Sequence, residues 1–320
     1  MAQHINFYKK QIEIHQHAAD KLAKKLLASS LLRLAVFLVI CLLVYVFWGN
    51  TQVIISSIIG GIALFVFLVS RHSDLKYKSD KQKAIIKLNQ TEIDVMQSRQ
   101  FQDLPDGSEF EVPNHDYAQD IDLFGRGSFF QYLNRTALYE GTKKLVGILL
   151  ANDIESIQQK QEAVQELAEK VKWRQEFSAT ASLVKTTESS TTIVNWFKEY
   201  KRFVPRFIKW LSPVFSILSI AVIIGYALGF VSEFQLLLWL IVGILITGIY
   251  LKKINLLSGS VSKIQDTFHQ YHQLLGMLEN EEFSSEIMAA KKQAIRTESK
   301  KASQIFREFS KAIDALDQRN

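Results

Sequence analysis

Two apolar runs decide the fold class: LAVFLVICLLVYVFW at residues 34–48 and VIISSIIGGIALFVFLVS at residues 53–70, with only GNTQ between them. A second pair occupies residues 211–231 and 234–250. None of these runs contains Asp, Glu, Lys, Arg or His. A bilayer core of about 30 Å needs about 20 apolar helical residues, whereas helices of a soluble core rarely continue so long without a polar stripe. The sequence therefore predicts an all-α protein with two transmembrane hairpins, that is, four spans.

Basic residues flank each pair of runs but are absent from the turns inside the pairs. The flanking cations are Lys21, Lys24, Lys25, Arg33, Arg71, Lys76, Lys78, Lys198, Lys201, Arg202, Arg206, Lys209, Lys252 and Lys253. Because Lys and Arg accumulate on the cytoplasmic side of a membrane, we predict that both turns lie outside. The sequence thus predicts a multi-pass protein of the inner (cytoplasmic) membrane whose soluble parts are cytoplasmic.

The spans are predicted to be anchors rather than a transport path. They lack the ionisable residues that mark such paths. Ser56 with Gly60, and Ser57 with Gly61, have the small-xxx-small spacing that favours close helix packing. The single cysteine, Cys41, lies in the first span of this 320-residue chain with net charge +6, which excludes a disulfide framework within one chain.

The soluble segments are predicted to be helical, because they are rich in Lys, Glu, Gln and Ser with apolar residues at helical spacing. The predicted division is an amphipathic N-terminal helix at 1–30, the first hairpin at 31–70, a cytoplasmic helix and connector at 71–120, a helical core and lever segment at 121–200, a basic juxtamembrane helix with the second hairpin at 201–252, and cytoplasmic helices at 253–320.

Local signals refine this division. Pro105-Asp106-Gly107 should break a helix, with at most a short strand at 110–112 after it. Residues 128–150 are predicted to be helical, with either a break or two short helices around Gly141. Asn152 should cap the next helix, with Glu155 in the capping-box position, and an apolar stripe continues that helix to Phe177.

One stretch resembles a known family. NHDYAQDIDLFG at 114–125, SFF at 128–130 and LNRT at 133–136, followed by Gly141, resemble the entry to the helical core and lever domain of MutS-family ATPases, in particular of the membrane-anchored MutS-like branch. QEAV at 161–164 and WRQEF at 173–177 match the continuation in order and spacing, and residues 302–319 resemble a later core helix more loosely. The resemblance implies ATP and Mg in a full-length member, DNA as a partner, and a homodimer, because the family completes its ATP sites across two subunits.

The chain also departs from the family. It contains no Gly-x-x-x-x-Gly-Lys-Ser/Thr loop, and its nearest fragment, Gly141-Thr142-Lys143, lacks the upstream glycine and a preceding strand. Phe197-Lys198-Glu199 and Phe306-Arg307-Glu308 spell the family's Phe-x-Glu wedge, but both lie on basic helical segments without a sheet domain. We therefore assign no catalytic, cofactor or metal residue within the chain, and we expect an ATPase domain beyond Asn320.

Before the third apolar run, cations alternate with Trp and Tyr side chains. The cations are Lys198, Lys201, Arg202, Arg206 and Lys209. Such a segment suits either contact with a nucleic-acid backbone or an interfacial helix on anionic lipid. Because the segment adjoins a span, the membrane-surface interpretation is favoured.

Histidines provide the remaining candidates. His115 precedes Asp116, Asp120 and Asp122, which together suit either a divalent cation or helix capping. His269 and His272 have a spacing that could also bind metal. A structural role is favoured for both groups.

Two functional hypotheses follow. The first is a membrane-anchored MutS-like protein, of which this chain is the anchor and lever part of a DNA mismatch repair-type ATPase. The alternative is a membrane scaffold or partner-binding helical protein without nucleotide or DNA activity.

Overall fold

Helices make up all the regular secondary structure of the described residues. The computed structural model describes residues 2–151, 153–183, 208–295 and 302–317. The helices are α1 (Ala2–Val46), α2 (Thr51–Ser98), α3 (Phe129–Leu133), α4 (Tyr139–Leu150), α5 (Ile157–Glu169), α6 (Val171–Ser182), α7 (Ile208–Ala227), α8 (Glu233–Asn280), α9 (Glu286–Ala294) and α10 (Ala302–Asp317). Across these ranges no strand occurs, which confirms the predicted all-α class.

The chain divides into two compact units. The apolar unit comprises residues 24–76, 187–264 and 316–320, and the polar unit comprises residues 1–23, 77–186 and 265–315. Helices α1, α2 and α8 contribute residues to both units. The predicted boundaries at residues 30, 70 and 252 fall inside these three helices, and the six-part division itself stays a prediction.

The apolar unit contains helices suited to cross a membrane. By length and composition, α1, α2 and the Trp210–Ala227 part of α7 qualify, and at most 6% of their most apolar stretches is buried. Glu233–Gly248 is a shorter apolar helical stretch. Large side chains such as Phe67 and Ile217 point outward, with 61% and 67% of their surface exposed. Since exposed apolar surface costs about 25 cal/mol per Å² in water, these helices indicate membrane association.

Short turns join the helices of each apolar pair. Gly49 (φ 112°) lies between α1 and α2, and Gly229 (φ 82°) lies between α7 and α8. Helix α8 begins with a capping box, in which Ser232 N donates to Gln235 Oε1 (2.9 Å) and Gln235 N donates to Ser232 Oγ (3.4 Å). These local bonds satisfy backbone groups that the start of a helix leaves unpaired.

Close packing inside the apolar unit depends on glycines. A Cβ at Gly61 would lie 2.3 Å from the Ile40 side chain, whereas a Cβ at Gly60 would meet nothing within 4 Å. The sequence contains two pairs with small-xxx-small spacing, Ser56 with Gly60 and Ser57 with Gly61. The pair that contains Gly61 therefore packs α2 against α1. Between α7 and α8, the Phe215 and Trp239 rings stack at 4.8 Å.

The polar unit has a small core, and its local structure differs in part from the sequence predictions. Ile85, Leu123 and Phe130 are almost fully buried in that core. No strand forms at 110–112, where at most a short one was expected, and residues 108–110 form a 3-10 turn. Of the two outcomes predicted for residues 128–150, two short helices are confirmed as α3 and α4. The chain is not broken at Gly141, which lies inside α4, but leaves α3 at Asn134, whose Oδ1 accepts from Thr136 N (2.9 Å) and Thr136 Oγ1 (2.7 Å).

Another departure concerns the helix predicted from Asn152 to Phe177. Asn152 lies outside the described residues, and α5 begins at Ile157 after Ser156 (φ 52°). A break at Lys170 (ψ 47°) then separates α5 from α6. The apolar stripe crosses this break, so periodicity alone could not reveal it.

Candidate functional site

The predicted basic site remains untested by the structure. Lys198, Lys201, Arg202 and Arg206 lie outside the described residues. Lys209 lies in α7, and its side chain is not described. The choice between a membrane surface and a nucleic acid as the partner of this segment therefore stays a prediction.

The stretch that carries the family resemblance folds around one buried side chain, Gln131. It is 1% exposed, its Oε1 accepts from Gly127 N (2.7 Å), and its Nε2 donates to Gln102 O (3.0 Å) and Leu104 O (2.7 Å). Ser128 caps α3 by accepting from Gln131 N (3.1 Å). Gln131 thereby holds the connector after α2 against the start of α3.

An aromatic cluster closes the same connector. Phe130 is fully buried, and its ring centroid lies 5.4 Å from Phe124 and 6.4 Å from Phe110. Gly107 (φ 72°) passes so close that a Cβ there would lie 2.6 Å from the Phe130 ring. Helix α2 already ends at Ser98, so the prediction that Pro105-Asp106-Gly107 breaks this helix is wrong. These three residues lie in the connector, where glycine is required at position 107 by both backbone conformation and space.

Polar contacts also attach the segment after α3 to helix α2. Arg135 Nε lies 2.7 Å from Glu92 Oε1, and Arg135 Nη1 donates to Tyr132 O (2.9 Å) and Asn134 O (3.0 Å). The Arg135 and Glu92 side chains are 30% and 27% exposed. The residues of the resemblance thus serve packing and orientation in this unit.

The histidine candidates contact backbone carbonyls. His115 Nε2 lies 3.1 Å from Leu150 O, and the neighbouring Tyr117 hydroxyl donates to Leu149 O (2.6 Å), so both meet the last turn of α4. His272 Nδ1 lies 2.8 Å from Ser303 O, and the His269 side chain is not described. Over the described ranges, no three His, Cys, Asp or Glu residues are grouped for a metal ion.

Two glutamates bind the starts of helices distant in sequence, which the sequence analysis missed. Glu166 on α5 accepts from Ser284 N (2.7 Å), Ser285 N (2.9 Å) and Ser285 Oγ (2.6 Å), just before α9. Glu279 on α8, 3% exposed, accepts from Ser303 N (3.0 Å) and Ser303 Oγ at the start of α10. The only sequence signal for the first contact is the Ser-Ser pair before Glu286, and it does not specify Glu166.

The environment of Glu166 favours its charged form. Burial opposes ionisation, but the hydrogen bonds from Ser285 and Ser284 outweigh it and lower the pKa of Glu166 from 4.5 to about 2. Glu166 is therefore ionised at neutral pH, and its negative charge lies at the positive end of the α9 dipole.

A second contact joins α5, α6 and the segment before α9. Lys170 Nζ lies 2.6 Å from Glu281 Oε1 and 5.7 Å from the centre of the Phe283 ring. The bond to Glu281 raises the pKa of Lys170. Trp173 contacts Phe283 edge-on at 5.6 Å. The break at Lys170 thus places a cation and an aromatic ring against the same segment.

Gln52 connects helix α2 to helix α7 within the apolar unit. Its Nε2, at the start of α2, donates to Tyr226 O (2.6 Å) and Ala227 O (2.5 Å) at the end of α7. These carbonyls belong to the last turn, where a helix leaves backbone acceptors unpaired. The turn between α1 and α2 and the turn between α7 and α8 therefore lie at the same end of the apolar unit.

Comparison of the chain with protein families, with curated proteins and with solved structures found no match.

Proposed function

We propose that this chain is a four-span membrane anchor that carries a cytoplasmic helical module of MutS-like type. The observation that carries the anchor is the Gln52 contact, because it supports placing both short turns on one side of the bilayer. The flanking cations lie at the opposite ends of the apolar runs, which supports a cytoplasmic location for the rest of the chain.

The fourth span is part of the proposal. The described apolar stretch Glu233–Gly248 is shorter than the other candidates, but the apolar run continues to residue 250 and α8 continues to Asn280. With four spans, the cationic flanks of both pairs meet one membrane surface.

Cysteine labelling tests this topology directly. Because Cys41 is the only cysteine, a Cys41→Ala chain provides a background for single cysteines. Trp48→Cys and Phe230→Cys place them on the two turns, at residues that are 81% and 83% exposed. Glu169→Cys places one in the polar unit. An impermeant maleimide should label the two turn variants in intact cells, and Glu169→Cys only after lysis. Labelling of one turn without the other would contradict the proposed hairpins.

The MutS-like role rests on the residues of the resemblance. It is supported by the packing around Gln131, because several of those residues together hold the connector against α3. In this proposal the helical module transmits nucleotide-driven changes between an ATPase segment beyond Asn320 and the anchor. ATP and Mg would be bound by that segment, and DNA would be bound by a homodimer.

The full coding sequence provides the test of this role. We expect the complete product to contain a phosphate-binding loop, to bind ATP with Mg, and to form a dimer in detergent. Binding of labelled duplex DNA to the same preparation, with and without ATP, then tests the DNA partner. A complete product without nucleotide binding would overturn the MutS-like role and leave the anchor intact.

The alternative is a membrane scaffold that binds a partner through the polar unit. It is favoured by exposed aliphatic side chains on and between α4 and α5, where Ile148, Ile154 and Val164 are 58%, 75% and 66% exposed. Such side chains suit a partner surface. Retained cellular function in a product that does not bind nucleotide would support this alternative.

A further inference from the structure

A groove in the apolar unit has the shape and charge of a lipid site. Its volume is about 930 Å³, near the upper end of the range of about 300–1,000 Å³ for ligand pockets. Helices α2, α7 and α8 line it, among others through Ile55, Phe215, Leu237, Leu240 and Gly243. Its walls are therefore mostly apolar.

Fixed contacts build one wall of this groove. Trp239 Nε1 donates to Ser219 Oγ (2.9 Å), and the Trp239 ring stacks on Phe215. A Cβ at Gly243 would lie 3.2 Å from the Phe215 ring, so glycine leaves the space that this ring occupies. The polar atoms in the middle of the groove are thus paired with each other, which leaves an apolar surface for a ligand.

The ends of the groove differ in charge. Thr51 and Glu233 line the end beside the turns, whereas Thr247 and Gly248 line the other end, where the Thr247 hydroxyl donates to Gly243 O (2.9 Å). Fifteen residues of α8 separate Glu233 from Gly248, a length of about 22 Å at 1.5 Å per residue. Half of a bilayer with its headgroups is also about 20–22 Å thick. The groove therefore matches one lipid molecule, with its headgroup at Glu233 and its tails toward Gly248.

The charge at the headgroup end selects among lipids. Glu233 is exposed, and none of the ion pairs between described residues involves it. A carboxylate there attracts a primary ammonium group and repels an anionic headgroup. We propose that this groove binds one phosphatidylethanolamine molecule, with its ammonium group at Glu233. This inference rests on the proposed membrane anchor.

Native mass spectrometry of the full chain in detergent tests the site. The probe is an equimolar mixture of phosphatidylethanolamine, phosphatidylcholine and phosphatidylglycerol with identical tails. We expect one bound lipid per chain, with phosphatidylethanolamine preferred by up to about fivefold, the effect of an exposed ion pair. Glu233→Gln should remove the preference and keep the occupancy, whereas Asp74→Asn, a carboxylate of the same unit outside the groove, should change neither.

A plug variant tests the groove itself. A Cβ at Gly248 meets nothing within 4 Å, so Gly248→Leu should fill the groove without displacing a neighbour and should abolish lipid binding. Gly60→Leu adds the same side chain to α2 at an equally open position that does not line the groove, and it should bind lipid normally.

Several results would overturn the inference. The lipid site is refuted if the original chain binds the three lipids equally or if Glu233→Gln keeps the preference. It is also refuted if Gly248→Leu binds lipid at the original level. A lipid-free dimer that Gly248→Leu dissociates would show that a second copy of the chain occupies the groove instead. An alkaline carbonate wash separates this failure from failure of the anchor. A chain that stays in washed membranes but shows no lipid selectivity refutes the lipid site alone, whereas a chain that the wash releases refutes the anchor as well.

Discussion

Replacing Glu166 by glutamine should loosen the start of helix α9. The carboxylate accepts three hydrogen bonds, from the Ser284 and Ser285 amides and from the Ser285 hydroxyl. Glutamine has the same shape but presents one amide nitrogen, a donor, in place of an acceptor oxygen. In either orientation of the glutamine side chain, at least one backbone N–H therefore faces another donor.

The expected loss is moderate. A hydrogen bond to a charged group contributes about 1.5–3 kcal/mol, but Glu166 is only partly buried, and solvent reduces that value. We expect local opening at the start of α9 to become easier by about 1–2 kcal/mol, which corresponds to about 5- to 30-fold faster amide exchange.

Hydrogen exchange with mass spectrometry, on the full chain in detergent, measures this directly. Peptides that cover residues 281–290 should exchange faster in Glu166→Gln. Glu169→Gln is the matched control, because it removes an exposed carboxylate from the same helix α5. Exchange within twofold of the original chain, or the same acceleration in the control, would show that Glu166 does not hold this helix start.

The same contact predicts a dependence on pH. The folded pKa of Glu166, about 2, lies below its unfolded value of 4.5. Its contribution to stability is therefore present above about pH 4.5 and is lost as the pH falls from there through about 2. Urea unfolding of the polar unit, followed across this window, should lose this stabilisation in the original chain but not in Glu166→Gln.

Three further predictions concern the connector, the first hairpin and the basic segment. Gln131→Ala should leave the Gly127 amide and two carbonyls unpaired, which should destabilise the polar unit by about 2–4 kcal/mol. Limited proteolysis should then cut the connector faster than in the control Gln119→Ala, which changes an exposed side chain. Gly61→Leu should lower the melting temperature in detergent because of the Ile40 contact, whereas Gly60→Leu should not. Neutralising Lys201, Arg202 and Arg206 should weaken binding to anionic liposomes, and unchanged liposome binding with lost DNA binding would instead identify a nucleic-acid site.

Sequence reasoning located the features that depend on local chemistry. The apolar runs, the turn at Gly49 and the left-handed backbone at Gly107 all depend on residues within a few positions of one another. Periodicity does not choose between equivalent rows, however. Ser56 with Gly60 and Ser57 with Gly61 have the same spacing, and only the position of Ile40 on the neighbouring helix shows which row packs.

Contacts between distant segments could not be predicted in this way. Glu166 and Ser284 are separated by 118 positions, and Gln52 and Tyr226 by 174. Each contact depends on where a helix ends in space, and many glutamates and glutamines in the chain could have satisfied the same backbone groups. The break at Lys170 was hidden for a related reason, because its effect is to bring Lys170 to Glu281 on another segment.

The polar side chains that join these segments favour one arrangement over nearby alternatives. Four of these side chains bind backbone groups at a helix end or in a connector: Gln131, Glu166, Glu279 and Gln52. A shift of the segment by one residue would leave those backbone groups unpaired. Apolar contacts tolerate such shifts far better, because they have no fixed direction. We therefore expect such a module to change shape by exchanging whole sets of hydrogen bonds rather than by gradual sliding. That behaviour suits the proposed transmission of a nucleotide-driven change, and it makes the helix start held by Glu166 the place where a second arrangement of the polar unit should first be sought.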